Sequence, residues 1–145
     1  MSTEENKALV RRDVEAWNRG NLTEYFAHLD EVCAPDFIYH TLNPSVPGGI
    51  CSRVDYKQYC ADFLAALPGH YTIEDLIAEG EKVVARYTYR GIHQGQWRGA
   101  VPTDKAVTFT GTVIYRIVDG KVMEIWDNPD QLGMLRQLGF ISQQG

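Results

Sequence analysis

The sequence predicts an α+β fold in which helices come first and a sheet follows. Three segments between residues 3 and 67 carry apolar residues at helical spacing, and a short extended segment separates the second from the third. From residue 71 onward the period changes to the alternation that is typical of strands. Helices grouped before an antiparallel or mixed sheet indicate a single α+β domain over residues 1–145, in which a strongly bent sheet around three N-terminal helices would enclose a cone-shaped cavity.

Each predicted helix begins at a residue that is typical of helix caps. Ser2 and Glu5 have the spacing of a capping box, and Asn21 and Ser52 precede the second and third apolar segments. The second helix is expected to end at Pro35, because proline cannot continue a helix. A strand is then expected over residues 36–41 and a loop over residues 43–50.

Four strands are expected in the second half of the chain, over residues 71–78, 82–96, 106–118 and 122–127. Gly91 and Gly95 indicate bulges or bends in the 82–96 strand. Asp119-Gly120 predicts a hairpin turn between the last two strands. A short helix or turn is expected in the tail, with Asp130 as its candidate N-cap.

The period of two also predicts which side chains face the helices, because residues i and i+2 share a face. Arg86 and Arg90 mark the outward row of the 82–96 strand. The predicted inward rows of the last three strands include Tyr87, Tyr89 and His93, then Phe109, Gly111, Val113 and Tyr115, and finally Met123, Ile125 and Asp127.

Asp127 is the candidate acid/base residue. It ends an otherwise apolar row, where a carboxylate is poorly solvated and either holds its proton or finds a partner. A carboxyl group in an apolar pocket is suited to general acid or base chemistry near neutral pH. The pattern leaves a second interpretation open, in which Asp127 lies just past the strand end and caps the final turn in water.

Charge and cysteine content exclude several classes of partner. The net charge is −5, the sequence pI is about 5.3, and Arg11-Arg12 is the only adjacent basic pair, so no nucleic acid or anionic membrane is expected as a partner. Three cysteines without a CxxC pair suit reduced thiols in the cytoplasm.

The histidines lack metal-ligand spacing, so no metal is expected. Aromatic residues make up 11%, enough to line a pocket as well as a core.

Three stretches of the sequence resemble the SnoaL-like polyketide cyclases: APDFIYH at 34–40, RGIHQGQWRGAVPT at 90–103 and YRIVDGKVMEIWDNPDQLGMLRQLG at 115–139. The resemblance implies a cone-shaped α+β barrel like that of nuclear transport factor 2, often dimeric through the sheet, with a cofactor-independent site in the cone. The best-known members close the last ring of aromatic polyketide esters by an intramolecular aldol step. Their acid/base aspartate aligns with Asp127.

The sequence also departs from the family pattern. The family's histidine on the preceding strand aligns with Val113, and a family glutamine aligns with Gly111. Without those groups, oxyanion stabilisation and tuning of the aspartate must come from other residues, and the candidates are Tyr87, Tyr89, Tyr115 and His93. His93 is a candidate second acid/base residue, with a structural histidine as the alternative.

The expected pocket residues come from helices and strands alike. The substrate-binding candidates are Trp17, His40, Tyr59, Phe63, Tyr87, Tyr89, Phe109, Val113 and Tyr115. His40 is a candidate for the pocket lining, with a surface or rim histidine as the alternative, whereas His28 and His70 are expected to be exposed. A small, largely apolar carbonyl compound is the expected substrate. The alternatives are a related isomerase, dehydratase or epoxide hydrolase, or a non-catalytic binding or dimerisation module.

Overall fold

The computed structural model describes residues 2–43 and 46–140, which form four helices and six strands. In chain order these are α1 Thr3–Asn18, α2 Leu22–Val32, β1 Cys33–Thr41, β2 Ile50–Cys51, α3 Arg53–Ala66, β3 Gly69–Glu79, β4 Lys82–Ile92, β5 Ala106–Val118, β6 Lys121–Pro129 and α4 Gln131–Gln137. A 3₁₀ turn at Pro47–Gly49 precedes β2. The predicted 43–50 loop thus contains a turn and the first residue of a short strand.

The sheet is mixed and open, with strand order β2-β1-β6-β5-β4-β3. β1 runs parallel to β6, and every other neighbouring pair is antiparallel. The α+β class with three N-terminal helices is confirmed, and the sheet does not close into a barrel. The central position of β6, between β1 and β5, determines where the site lies.

The predicted helix caps are present. Ser2 and Glu5 form a capping box, and the side chains of Asn21 and Ser52 accept hydrogen bonds from Glu24 and Asp55 backbone N–H groups. Each cap satisfies an N–H group that the helix itself leaves without a partner.

The prediction that Pro35 ends α2 is wrong. The helix ends at Val32, and Pro35 lies inside β1. β2 pairs with β1 only at Tyr39 and His40, so the other part of β1 is an edge, where a residue without an N–H group is tolerated.

β4 ends at Ile92, short of the predicted position 96. The backbone of His93 pairs with Asp104 and Lys105 in the following loop. At Gly95 the loop reaches α3, where an added Cβ would lie 2.5 Å from the Ala65 carbonyl oxygen. Gly95 therefore permits close docking of the loop and does not mark a bulge in a continuing strand.

The β5–β6 hairpin has the predicted turn at Asp119-Gly120, with φ values of 49° and 79°. It also contains a bulge, because Ile117 pairs with Val122 and Arg116 pairs with Glu124, which leaves Met123 as the extra residue. Val122 is therefore buried in the core row in place of the predicted Met123. Asp127 follows the bulge and keeps the orientation of Ile125.

Candidate active site

A cavity lies between the helices and the inner face of the sheet. Its volume, taken as the space that the centre of a water molecule can occupy, is about 80 Å³. Seven of the chain's eight tyrosines line it: Tyr25, Tyr39, Tyr56, Tyr59, Tyr71, Tyr87 and Tyr115. The walls are thus largely aromatic, and each tyrosine also brings a hydroxyl group. Such a surface suits a flat ligand that carries a few polar atoms.

Asp127 lines this cavity. It lies on β6 opposite Thr41 of β1 and Val113 of β5. Two tyrosines hold its carboxyl group, because the Tyr39 hydroxyl donates to Oδ2 and the Tyr87 hydroxyl donates to Oδ1, each at 2.9 Å. Within residues 2–43 and 46–140 each oxygen has one donor and keeps one further acceptor position. Asp127 is therefore a fixed cavity group and not a cap of the final turn, which Asp130 provides through the Gly133 N–H group.

Gly111 lets Tyr87 reach Asp127 across an intervening strand. Tyr87 on β4 lies opposite Gly111 on β5, and Gly111 lies opposite Pro129 on β6. A Cβ at position 111 would lie 2.4 Å from the Tyr87 hydroxyl oxygen. The space that a side chain at position 111 would fill is therefore occupied by the phenol ring of Tyr87. This ring passes over β5 to the carboxyl group of Asp127.

We expect Gly111→Ala to displace the Tyr87 hydroxyl from Asp127, since the two groups cannot share this space. Overpacking a core position costs about 1–3 kcal/mol of unfolding free energy. Urea denaturation measures this cost, and Tyr87→Phe is the matched control, because it removes the hydroxyl without adding volume. An unfolding free energy for Gly111→Ala equal to that of the wild type would contradict this account of the glycine.

Burial raises the pKa of Asp127 above the ordinary aspartate value, and the hydrogen bonds from Tyr87 and Tyr39 oppose the rise. Burial and the nearby Asp127 charge likewise raise the pKa values of Tyr39 and Tyr87, so both hydroxyls stay protonated and remain donors at neutral pH. A raised pKa favours proton uptake by the carboxyl group, as a general base requires.

The raised pKa of Asp127 has a consequence for stability that Asp127→Asn isolates. Between the ordinary aspartate pKa near 4 and the raised one, the folded state binds more protons than the unfolded state, so stability falls as pH rises. The variant lacks this titration. The unfolding free energy of the wild type minus that of the variant should therefore decrease from pH 4 to pH 7 in denaturation series. A constant or increasing difference would contradict a raised pKa.

Six of the predicted substrate-binding residues line the cavity besides Tyr87: Trp17, Tyr59, Phe63, Phe109, Val113 and Tyr115. Tyr89 is fully buried and its ring packs at a tilt against those of Phe63 and Phe109, but it does not line the cavity. Its hydroxyl donates to the Leu67 carbonyl oxygen at the end of α3. Tyr89 therefore joins the sheet to the helix layer.

His93 does not meet Asp127 in the structure. Its side chain is fully buried outside the cavity lining, and Nδ1 lies 3.1 Å from the Thr103 hydroxyl oxygen. Since β4 ends one residue earlier, His93 belongs to the loop that docks on α3. This position matches the structural alternative for the residue.

His40 lies on the outer face of the sheet, because Phe37 and Tyr39 take the inward positions of β1. Its ring stacks on Trp126 with 5.1 Å between ring centroids, and Nε2 lies 2.8 Å from Glu124 Oε2. The assignment of His40 to the substrate-binding residues is therefore corrected, and its position matches the surface alternative.

A second carboxyl group lines the cavity, that of Asp13, which was not among the residues predicted from the sequence. Asp13 lies on α1 and contacts His28 of α2. His28 was expected to be exposed, but its side chain is only 14% exposed. The available signal was spacing, because Asp13 falls on the same helical face as Val10 and Trp17. Among residues 2–43 and 46–140, no group of three or more acidic, His or Cys side chains suits a metal ion.

Comparisons with known proteins agree with this architecture. The family model for SnoaL-like polyketide cyclase matches residues 7–138. The aklanonic acid methyl ester cyclase DnrD of Streptomyces peucetius is 33% identical over 135 residues, which cover 90% of this chain and 88% of that protein. The nogalonic acid methyl ester cyclase of Streptomyces nogalater is 32% identical over 130 residues, with coverage of 87% and 91%.

A solved structure extends the comparison. AclR of Streptomyces galilaeus, named as a candidate hydroxylase, superposes with a TM-score of 0.84 at 29% identity over 98% of this chain and 85% of that one. The fold and the aromatic cavity are those of a class of enzymes that have a cone-shaped α+β fold and act on small molecules. Within that class, this chain belongs to the SnoaL-like polyketide cyclase family.

No described helix has the length and apolar character that crossing a membrane requires.

Proposed function

We propose that this protein is a cofactor-independent cyclase that closes a ring of an aromatic polyketide ester by an intramolecular aldol reaction. The observation that carries the proposal is the Asp127 carboxyl group, held by two tyrosine hydroxyls inside a largely aromatic cavity. Family membership and the named activities of the relatives support the reaction class.

Asp127 acts as the base in the first step. One of its oxygens takes a proton from the acidic carbon next to the substrate carbonyl, and the electron pair of that C–H bond forms an enolate. The negative charge then moves from the carboxylate to the enolate oxygen. A protonated carboxyl group needs fewer donors, so the hydroxyl of Tyr39 or Tyr87 turns to the enolate oxygen and stabilises it.

Ring closure follows in the same cavity. The enolate carbon attacks the second carbonyl carbon, and a carbon–carbon bond forms as the C=O π pair moves to oxygen. The new alkoxide takes the proton back from Asp127, which restores the carboxylate. The aromatic walls hold the substrate in a folded conformation, which brings its enolate carbon and its second carbonyl carbon together. This positioning supplies a large part of the rate enhancement.

The proposed substrate is a fused-ring polyketide methyl ester. The relatives are named for aklanonic and nogalonic acid methyl esters, and they span almost the same length as this chain. Aromatic walls that also carry hydroxyl groups suit a fused-ring molecule with several oxygen substituents.

The test is incubation of the purified protein with aklanonic acid methyl ester, followed by chromatography and NMR of the product. Aldol closure gives an isomer of unchanged mass with one new carbon–carbon bond. A dehydratase would instead give a product lighter by one water, and an epoxide hydrolase or a double-bond isomerase would leave the skeleton uncyclised. No product above the rate in buffer would reject the proposal for this substrate class.

We also propose a cytoplasmic homodimer made of one domain per chain. The three cysteines are all free thiols, which suits a reducing compartment. Trp126 and His40 form a flat stacked pair on the outer face of the sheet, where the family resemblance expects the dimer contact. Sedimentation equilibrium measures the mass, and a value of 16.4 kDa at micromolar concentration would reject the dimer.

A further inference from the structure

The Asp13 carboxyl group lies in the same cavity as Asp127, and the proposed reaction does not use it. Three side chains hold it. The Tyr115 hydroxyl donates to Oδ2 at 2.7 Å, the Tyr25 hydroxyl donates to Oδ1 at 3.4 Å, and His28 Nε2 lies 2.9 Å from Oδ1. Because a carboxylate only accepts, His28 carries a proton on Nε2.

The donors are unevenly divided between the two oxygens of Asp13. Each carboxylate oxygen accepts about two hydrogen bonds. Oδ1 has two donors, whereas Oδ2 has only Tyr115 within the described part of the chain. One acceptor position on Oδ2 is therefore open at a side chain that lines the cavity.

The position of Asp13 relative to Asp127 suits an extended ligand. Tyr115 lies two residues along β5 from Val113, and Val113 is the cross-strand partner of Asp127. Two residues of a strand span about 7 Å, so Tyr115, which holds Asp13, and the β5 partner of Asp127 lie about that far apart along the strand. Both carboxyl groups line one cavity, so an extended ligand can contact the two of them.

The chemistry of this end of the cavity selects a hydrogen-bond donor. An acceptor such as a carbonyl oxygen at Oδ2 would face a negative charge, whereas a hydroxyl group there fills the open position. A site built to bond a substrate hydroxyl discriminates against the analogue without it, because the buried acceptor is then left without that partner.

We propose that Asp13 binds a phenolic or enolic hydroxyl group of the substrate at the α1 end of the cavity. This inference rests on the proposed function only in that the same cavity holds the substrate. It assigns a substrate-binding residue and not a second base.

The test compares two probes of nearly equal shape, 2-naphthol and 2-methylnaphthalene, by equilibrium dialysis against the purified protein. A hydrogen bond to a charged group corresponds to an affinity ratio of about tenfold or more. We expect the wild type to prefer 2-naphthol by this ratio and Asp13→Asn to lose the preference. Asp127→Asn is the matched control and should retain it.

Three results would overturn the inference: no preference in the wild type, a full preference in Asp13→Asn, or an equal loss in Asp127→Asn. If Asp13→Asn does not fold, Tyr115→Phe decides. It frees a second acceptor position on Oδ2, so its preference should equal or exceed that of the wild type, and a lower preference overturns the assignment. Since turnover is not measured, an inactive protein with an intact, Asp13-dependent preference would reject only the proposed function.

Discussion

Asp127→Asn should lower the turnover of the polyketide ester by about 10²- to 10⁴-fold, the contribution of a general base. Asparagine has nearly the same shape, but it cannot take the carbon-bound proton at neutral pH. Single-turnover kinetics with aklanonic acid methyl ester measures the loss in the chemical step. We expect affinity for the substrate to change much less, because the aromatic walls remain.

The control for this experiment is Asp36→Asn, the same substitution at an exposed residue of β1. It should leave the rate within experimental error of the wild type. If Asp127→Asn retained more than a tenth of the wild-type rate, Asp127 would not be the base, and the tyrosines that hold it would have a structural role.

Phe63→Ala should destabilise the fold by about 3–5 kcal/mol of unfolding free energy, the usual cost of removing a buried phenylalanine ring. Phe63 is 7% exposed on α3. Its ring contacts Trp17 and Trp97, at 6.0 and 5.3 Å between ring centroids, and also packs against two aromatic rings of the sheet. The truncated side chain would leave these rings without a shared neighbour.

Urea denaturation measures this loss, and Phe140→Ala is the matched control, since Phe140 is 42% exposed. Surface substitutions usually change stability by less than about 0.5 kcal/mol, so the control should stay near the wild type. A cost below about 1 kcal/mol for Phe63→Ala would mean that the helix layer does not depend on this aromatic cluster.

Local sequence patterns predicted most of the elements, because their causes are local. A capping box, an Asp-Gly turn and a period of two each depend on residues that are close together in the chain. The helix cap at Ser2, the turn at Asp119-Gly120 and the inward row of β5 could therefore be predicted from the sequence. Asp127 could also be identified from the sequence, because a single carboxyl group at the end of a row of apolar side chains would be poorly solvated there. The exceptions, Pro35 inside β1 and the bulge at Met123, depend on whether a neighbouring strand is present.

The partners of the site residues were decided only by the tertiary structure. Tyr39 and Tyr87 lie 88 and 40 residues from Asp127 in the chain, and Tyr115 lies 102 residues from Asp13. No local pattern specifies such pairs, because they follow from strand order and register. The same register places His40 on the outer face, and a strand end places His93 in a docked loop.

The sequence by itself thus determined the fold class, the family and the one carboxyl group that conflicts with an apolar strand face. The tertiary structure decided what surrounds that group: the tyrosine that crosses Gly111, the second carboxyl group on α1 and the aromatic walls between them. The physical reason is that burial and hydrogen-bond partners arise where strands and helices meet, and that meeting depends on the packing of the whole chain.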